Sequence, residues 1–166
     1  MNDAPQLTIE GEVQRPLSLS FDDLAAVEER WQIADVSQVD PKRKGDAVKL
    51  AGLLALAGPK PAAKYLGLHS SSDNFHASIP LGAVRENAFC IYRLDGGPLP
   101  ASAGGPIRFY IPDHAACHSA EIDECANVKF VDRIELTAAK GFDNRPQDED
   151  QHARLHEEQG SFSSGE

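Results

Sequence analysis

Apolar and polar residues alternate through Leu7-Thr8-Ile9-Glu10-Gly11-Glu12-Val13, the period-2 pattern of a strand with one buried face, and Arg15-Pro16 closes it. Ser20 then precedes Phe21-Asp22-Asp23-Leu24-Ala25-Ala26-Val27. A hydroxyl able to cap, an acidic first turn and apolar residues at helical spacing predict a helix of about two turns. Trp31, Ile33 and Asp35 share one face of a second strand, and Val36 and Val39 carry the pattern less regularly into a polar loop over 40–46. Leu50-Ala51-Gly52-Leu53-Leu54-Ala55-Leu56-Ala57 is built from helix formers and runs into Gly58-Pro59, the chemistry of a helix stop, so it predicts a buried helix.

From Tyr65 the spacing changes to short strands, predicted over 65–69, 76–79, 88–94, 106–111 and 128–136, with turns such as Asp95-Gly96-Gly97-Pro98 between them. Few short helices followed by many strands predict an α+β domain with a mixed β-sheet. Beyond Thr137 the periodicity stops and acidic residues dominate. The expected organisation is one domain over 1–138 and an acidic, disordered tail over 139–166.

Composition narrows the class. The chain has 166 residues, 41% of them hydrophobic and 25% charged, which suits a globular protein with one core. A formal net charge of -10 argues against a nucleic-acid partner, since phosphate backbones are bound by clustered cations. Lys42-Arg43-Lys44, between Pro41 and Gly45, reads as a solvated loop. No apolar run reaches the roughly 18 residues that span a bilayer, and Met1-Asn2-Asp3-Ala4-Pro5 lacks a basic and apolar leader, so no membrane partner and a cytoplasmic location are expected. Three cysteines, Cys90, Cys117 and Cys125, are too few for a disulfide framework and read as reduced thiols or metal ligands, with Cys90 in Ala88-Phe89-Cys90-Ile91-Tyr92 a core residue.

The segment from Asp113 to Asn127 concentrates ligands. His114, Cys117, His118 and Cys125 offer two imidazoles and two thiols within twelve residues, enough in principle for a tetrahedral transition-metal site, and Asp123 and Glu124 add oxygens. Cys117-His118 also ends an x-x-Cys-His run like that of c-type haem attachment, with His114 in place of the first Cys. The alternative is a surface loop whose histidines face water. His69 and His76 flank Asp73 and would add a ligand or a proton-transfer group if that loop faces the same cleft.

Several motifs occur in an order that resembles the molybdopterin-binding domain of sulfite-oxidase-like enzymes, over roughly residues 6 to 137. They are Pro16-Leu17-Ser18-Leu19, Val48-Lys49-Leu50, Ser72-Asp73-Asn74-Phe75, Ile79-Pro80-Leu81, Gly96-Gly97-Pro98-Leu99-Pro100, Gly104-Gly105-Pro106-Ile107-Arg108 and Val128-Lys129-Phe130-Val131. The resemblance implies the sulfite-oxidase-like molybdopterin-binding fold and an oxidoreductase-like redox protein with a small-molecule or redox partner. It implies molybdopterin as cofactor, or another metal or haem centre in the family cleft. Arg108 and Lys129 would hold the anionic groups of that cofactor, with Gly105 and Asn127 beside them. This chain departs from the family where a cysteine thiolate ligates molybdenum: residues 31–39 contain no cysteine, and Ser37 or Val36 falls near the place. A serine hydroxyl is not ionised near neutrality and is a harder ligand than a thiolate. Ala103 also stands where the family often has a histidine before the Gly-Gly-Pro turn. The alternative function is a non-catalytic module of the same fold that binds a metal or a protein partner through residues 114–127.

Overall fold

The computed structural model describes residues 4–112 and 127–145. Strand β1 (Pro5–Gly11) lies where the alternation placed it, with Leu7 and Ile9 buried and Thr8 exposed. It turns back into β2 (Leu17–Ser20), a strand whose four residues are too few to show a period. Ser20 caps α1 (Phe21–Ala25): its hydroxyl accepts from the Asp23 amide at 3.0 Å and the Asp23 carboxylate accepts from the Ser20 amide at 2.9 Å. Two otherwise orphaned donors are thereby satisfied. Ser20→Ala is expected to cost about 1 kcal/mol, read as a lowered urea midpoint with unchanged slope.

The second predicted strand is shorter than its pattern suggested. Trp31 ends a 3-10 turn, β3 is only Gln32–Ile33, and Val36–Gln38 is a second 3-10 turn capped by Asp35. Strand β4 (Asp46–Lys49) then leads into α2 (Leu50–Ala57), which ends at left-handed Gly58. Arg15 donates from Nε to the Leu56 carbonyl at 2.7 Å, placing a cation on the negative end of that helix. Strands β5 (Tyr65–Ser70) and β6 (Phe75–Pro80) form a hairpin, α3 (Leu81–Val84) follows, and β7 (Phe89–Leu94), β8 (Gly97–Pro98), β9 (Arg108–Tyr110) and β10 (Arg133–Thr137) complete the set.

Two five-stranded sheets result. One has the order β2-β1-β10-β5-β6 and is mixed, since β1 and β10 run parallel while its other pairs are antiparallel. The other runs β3-β4-β7-β8, with β9 also pairing β7. The fold is therefore α+β with few short helices, as expected. The main core joins Ile9, Leu66, Leu68, Ile134 and Leu136 of the first sheet to Leu24, Leu53 and Leu54 of the helices and to Val48, Cys90, Tyr92 and Phe109 on one face of the second. The opposite face of the second sheet carries Ala47, Phe89, Ile91 and Tyr110, which form a smaller cluster with Val36 and Leu99. Burial on both faces explains why Ala88 to Tyr92 is a continuous apolar run rather than an alternation.

The ordered body runs past the expected boundary at 138. Residues 141–145 lie along the free edge of β6, where Asn144 donates to the His76 carbonyl at 2.9 Å and Asp143 accepts from the Ser78 amide at 2.9 Å. Arg145, 6% exposed, pairs with Asp143 at 2.6 Å. This strap covers a sheet edge that would otherwise present unpaired donors and acceptors. The rest of the expected tail, 146–166, lies outside the described residues.

Candidate functional site

Loop 35–45 folds over the outer face of the second sheet and faces the turn that leads into β9. Its base is fixed by carboxylates: Asp35 caps the turn that follows it, and Asp46 accepts from the Asp35 amide at 2.9 Å and pairs with Arg93 at 2.8 Å. Farther out, the Tyr110 hydroxyl donates to Asp40, which also accepts from the Lys42 amide at 3.0 Å. These bonds, the tyrosine's first, hold the Asp40 carboxyl below the usual carboxylate range, while burial and then Asp40 push the Tyr110 hydroxyl up.

The turn facing this loop is made by Leu99 to Arg108. The Ala103 and Gly105 amides donate to the Pro100 carbonyl, each at 2.9 Å, and Gly104 takes a left-handed φ of 100°. Gly105 admits no side chain, because a Cβ there would lie 1.8 Å from the Leu99 carbonyl oxygen. Chain 127–131 braces the turn from outside: the Phe130 amide donates to the Gly104 carbonyl at 2.8 Å, and Phe130 adopts φ 59°, a conformation a bulky residue rarely takes.

Two cavities open against this turn. The smaller, about 190 Å³, is lined by Lys42, Arg43, Lys44, Ile91, Leu94, Ala103 and Arg108. Four cations meet there in a chain whose net charge is -10. The Arg43 guanidinium stands over the Tyr110 ring at 5.1 Å, and the Nε atoms of both Arg43 and Arg108 are buried without a hydrogen-bond partner among the described residues. Burial, then the charge of Arg43, pulls the Arg108 guanidinium below its usual value. Buried donors normally find partners, so two orphaned guanidinium nitrogens beside a cavity lined by four cations leave a concentration of positive charge that an anion would balance. The larger cavity, about 510 Å³, is lined by Ser72 and Asp73 of the β5–β6 turn, Ala101, Ser102 and Gly105, and Phe130.

The sequence-predicted residues separate into three groups. Arg108 and Gly105 line the cavities. Lys129 is exposed and lines neither, its ammonium standing 5.9 Å over the Phe130 ring, and Asn127 accepts from the Ile111 amide at 2.8 Å. His114, Cys117, His118 and Cys125 lie outside the described residues. Near the place of the family thiolate, Val36 is fully buried and Ser37 is bonded to Asp35. Among the described residues Cys90 is the one cysteine; it lies in the core, where burial pushes its thiol up to about 12. No group of three or more His, Cys, Asp or Glu is placed to hold a metal ion among the described residues. The residues the sequence reading passed over are Lys42, Arg43 and Lys44, expected to be a solvated loop and found lining a cavity. Their only local signal was three adjacent cations in an acidic chain.

A family model described as oxidoreductase molybdopterin binding domain matches residues 2–144. Among solved structures, the chain is similar to the sulfane dehydrogenase SoxCD from Paracoccus pantotrophus, with a TM-score of 0.60 and 21% sequence identity over 84% of this chain. It spans 40% of the length of that SoxCD chain, and the likeness at this identity is one of fold. No curated protein matches it by sequence.

Proposed function

Because the chain belongs to the oxidoreductase molybdopterin binding domain family, we propose that it binds an anionic, pterin-class cofactor of the molybdopterin type between loop 35–45 and the 99–108 turn. The observation that carries this reading is the meeting of Lys42, Arg43, Lys44 and Arg108 at one cavity, with the Nε atoms of both arginines buried and, among the described residues, partnerless. An oxyanion in the cavity would give both guanidinium groups a charge-assisted acceptor and relieve their mutual repulsion. The larger cavity is of the size that holds a small organic group, roughly 300 to 1,000 Å³. Its Asp73 carboxylate and Ser72 and Ser102 hydroxyls offer acceptors and donors to a polar ring edge.

Among the described residues, those at the site fit the anionic part of such a group, and none offers its metal a thiolate. A thiolate ligand needs an accessible, readily ionised cysteine, and Cys90 is neither. When bound, the group would supply a redox centre. The chain's own residues would bind and orient it: Arg108 through its planar fork, Arg43 from its seat on Tyr110, and the two lysines by drawing the anion to the mouth. That Cys90, the one cysteine among the described residues, is buried favours a second reading, a non-catalytic binding module of the same fold. Purified protein from a cofactor-producing host is expected to release one pterin per chain on acid denaturation, seen by fluorescence after oxidation. A chain without pterin that also retains no added inorganic phosphate would overturn the site; pterin without molybdenum would decide for the second reading.

A further inference from the structure

His69 and His76 are partners in register across β5 and β6; neither lines a cavity, although Ser72 and Asp73 in the turn between their strands line the larger one. His69 is 3% exposed, and its Nε2 lies 3.0 Å from Glu135 Oε1. His76 Nε2 lies 3.1 Å from Asn74 Oδ1, and the two Nδ1 atoms are 2.8 Å apart. Both outer partners are acceptors, so both Nε2 atoms must carry hydrogen. Two neutral rings would then aim bare lone pairs at each other. The ring centroids are 5.0 Å apart, close to the largest separation that the Nδ1–Nδ1 distance plus one ring radius at each end allows. The two nitrogens therefore lie close to the line joining the ring centres, the geometry of an N–H···N bond. Lone pairs that shared a metal ion would instead converge on a third point.

We propose that His69 and His76 are a proton-sharing pair that carries one positive charge at neutral pH, and that a second charge, acquired on acidification, releases the strap at residues 141–145. The strap is anchored on this pair. The His76 amide donates to Asn144 Oδ1 at 2.8 Å, its carbonyl accepts from the Asn144 amide, and Asn144 Nδ2 donates to the Asn74 carbonyl at 2.7 Å. The Phe142 ring lies 4.8 Å from that of His76. Among the described residues, the charged groups around the pair come from several elements. On β10, Glu135 compensates the shared proton and Arg133, 3.6 Å from the same carboxylate oxygen and 3.5 Å from Glu10 on β1, opposes it. Asp132, just before β10, favours it, and Asp143 on the strap is engaged by Arg145 and the Ser78 amide. Burial, then the charges of His69 and Arg133, holds His76 below the ordinary histidine value of 6.5. The folded pair thus resists the second proton while the unfolded chain accepts it, so this contribution to stability is complete above 6.5 and is lost as pH falls.

Ring-nitrogen NMR of the full chain tests this. At pH 7 both Nε2 atoms are expected to be protonated, with the two Nδ1 atoms sharing one proton. Acidification is expected to give a second step below the ordinary histidine range, with the amides of residues 141–145 shifting at the same midpoint. Asn74→Asp, at an exposed turn position with φ 49° that Asp tolerates, puts a carboxylate on His76 and is expected to raise that second midpoint by about one pH unit. The proposal is overturned by an unprotonated Nε2 at pH 7, which would mean that the Asn74 amide is turned to donate and the pair is neutral. Strap amides that ignore the second step, or an unmoved midpoint in Asn74→Asp, overturn it equally.

Discussion

Gly105→Ala is expected to destabilise the chain by at least about 3 kcal/mol, lowering the urea midpoint by about 1 to 2 M. The added Cβ would lie 1.8 Å from the Leu99 oxygen, 2.6 Å from its carbonyl carbon and 3.0 Å from the Pro100 oxygen. All three are backbone atoms, so no side-chain rotation relieves the overlap. The turn itself must open, breaking the bond from the Gly105 amide to Pro100 and pulling on buried Leu99. Anion binding should fall with stability, because the same turn holds Ala103 and Arg108 against loop 35–45. Gly82→Ala is the control. Gly82 sits in α3 where, beyond its chain neighbours and the helix's own backbone, nothing lies within 4 Å of the point an added methyl group would occupy, and the change should be neutral or stabilise by about 0.5 kcal/mol. Equal urea midpoints for Gly105→Ala and the parent chain would mean that the turn does not approach Leu99 as described.

The same turn shows how far the sequence could be read. Strand β1, the capped α1 and the stop of α2 at Gly58 depend on neighbours within a few residues, so alternation, capping chemistry and a glycine revealed them. Strands β2 and β4 have four residues each, too few to establish a period beside Pro16 and the polar loop. The strand expected over 128–136 begins only at Arg133, because the chain before it bends through left-handed Phe130 to brace the glycine turn. That bend depends on contact with Gly104, some 26 positions earlier, which no local pattern records. Arg108 was found through the family motif around it, whereas Arg43 was read as solvated. Its partner across the cavity is 65 residues away, and composition near Pro41 carries no sign of which surface the loop will cover.

Arg108→Met is expected to weaken binding of inorganic phosphate or pyrophosphate by roughly 10- to 100-fold while leaving the ligand-free fold as stable as before or slightly more so. Methionine keeps most of the arginine stem that packs on Gly104, so the change removes the charged head and little of the contact. A charge-assisted hydrogen bond to a bound anion contributes about 1.5 to 3 kcal/mol, which sets the expected loss of affinity. In the free chain, among the described residues, the head makes a 3.4 Å contact to the Ala103 carbonyl, its Nε has no partner, and Arg43 repels it, so its removal relieves strain. Arg43→Met should behave alike, and the double variant should lose less affinity than the two single losses combined, since one anion bridges both groups. Calorimetric titration with phosphate, paired with urea unfolding of the ligand-free proteins, reads both quantities. Opposite signs mark residues held in an unfavourable arrangement for the sake of a ligand. If Arg108→Met lowers stability and leaves phosphate binding unchanged, the guanidinium is a structural member of the fold and the anion site is wrong.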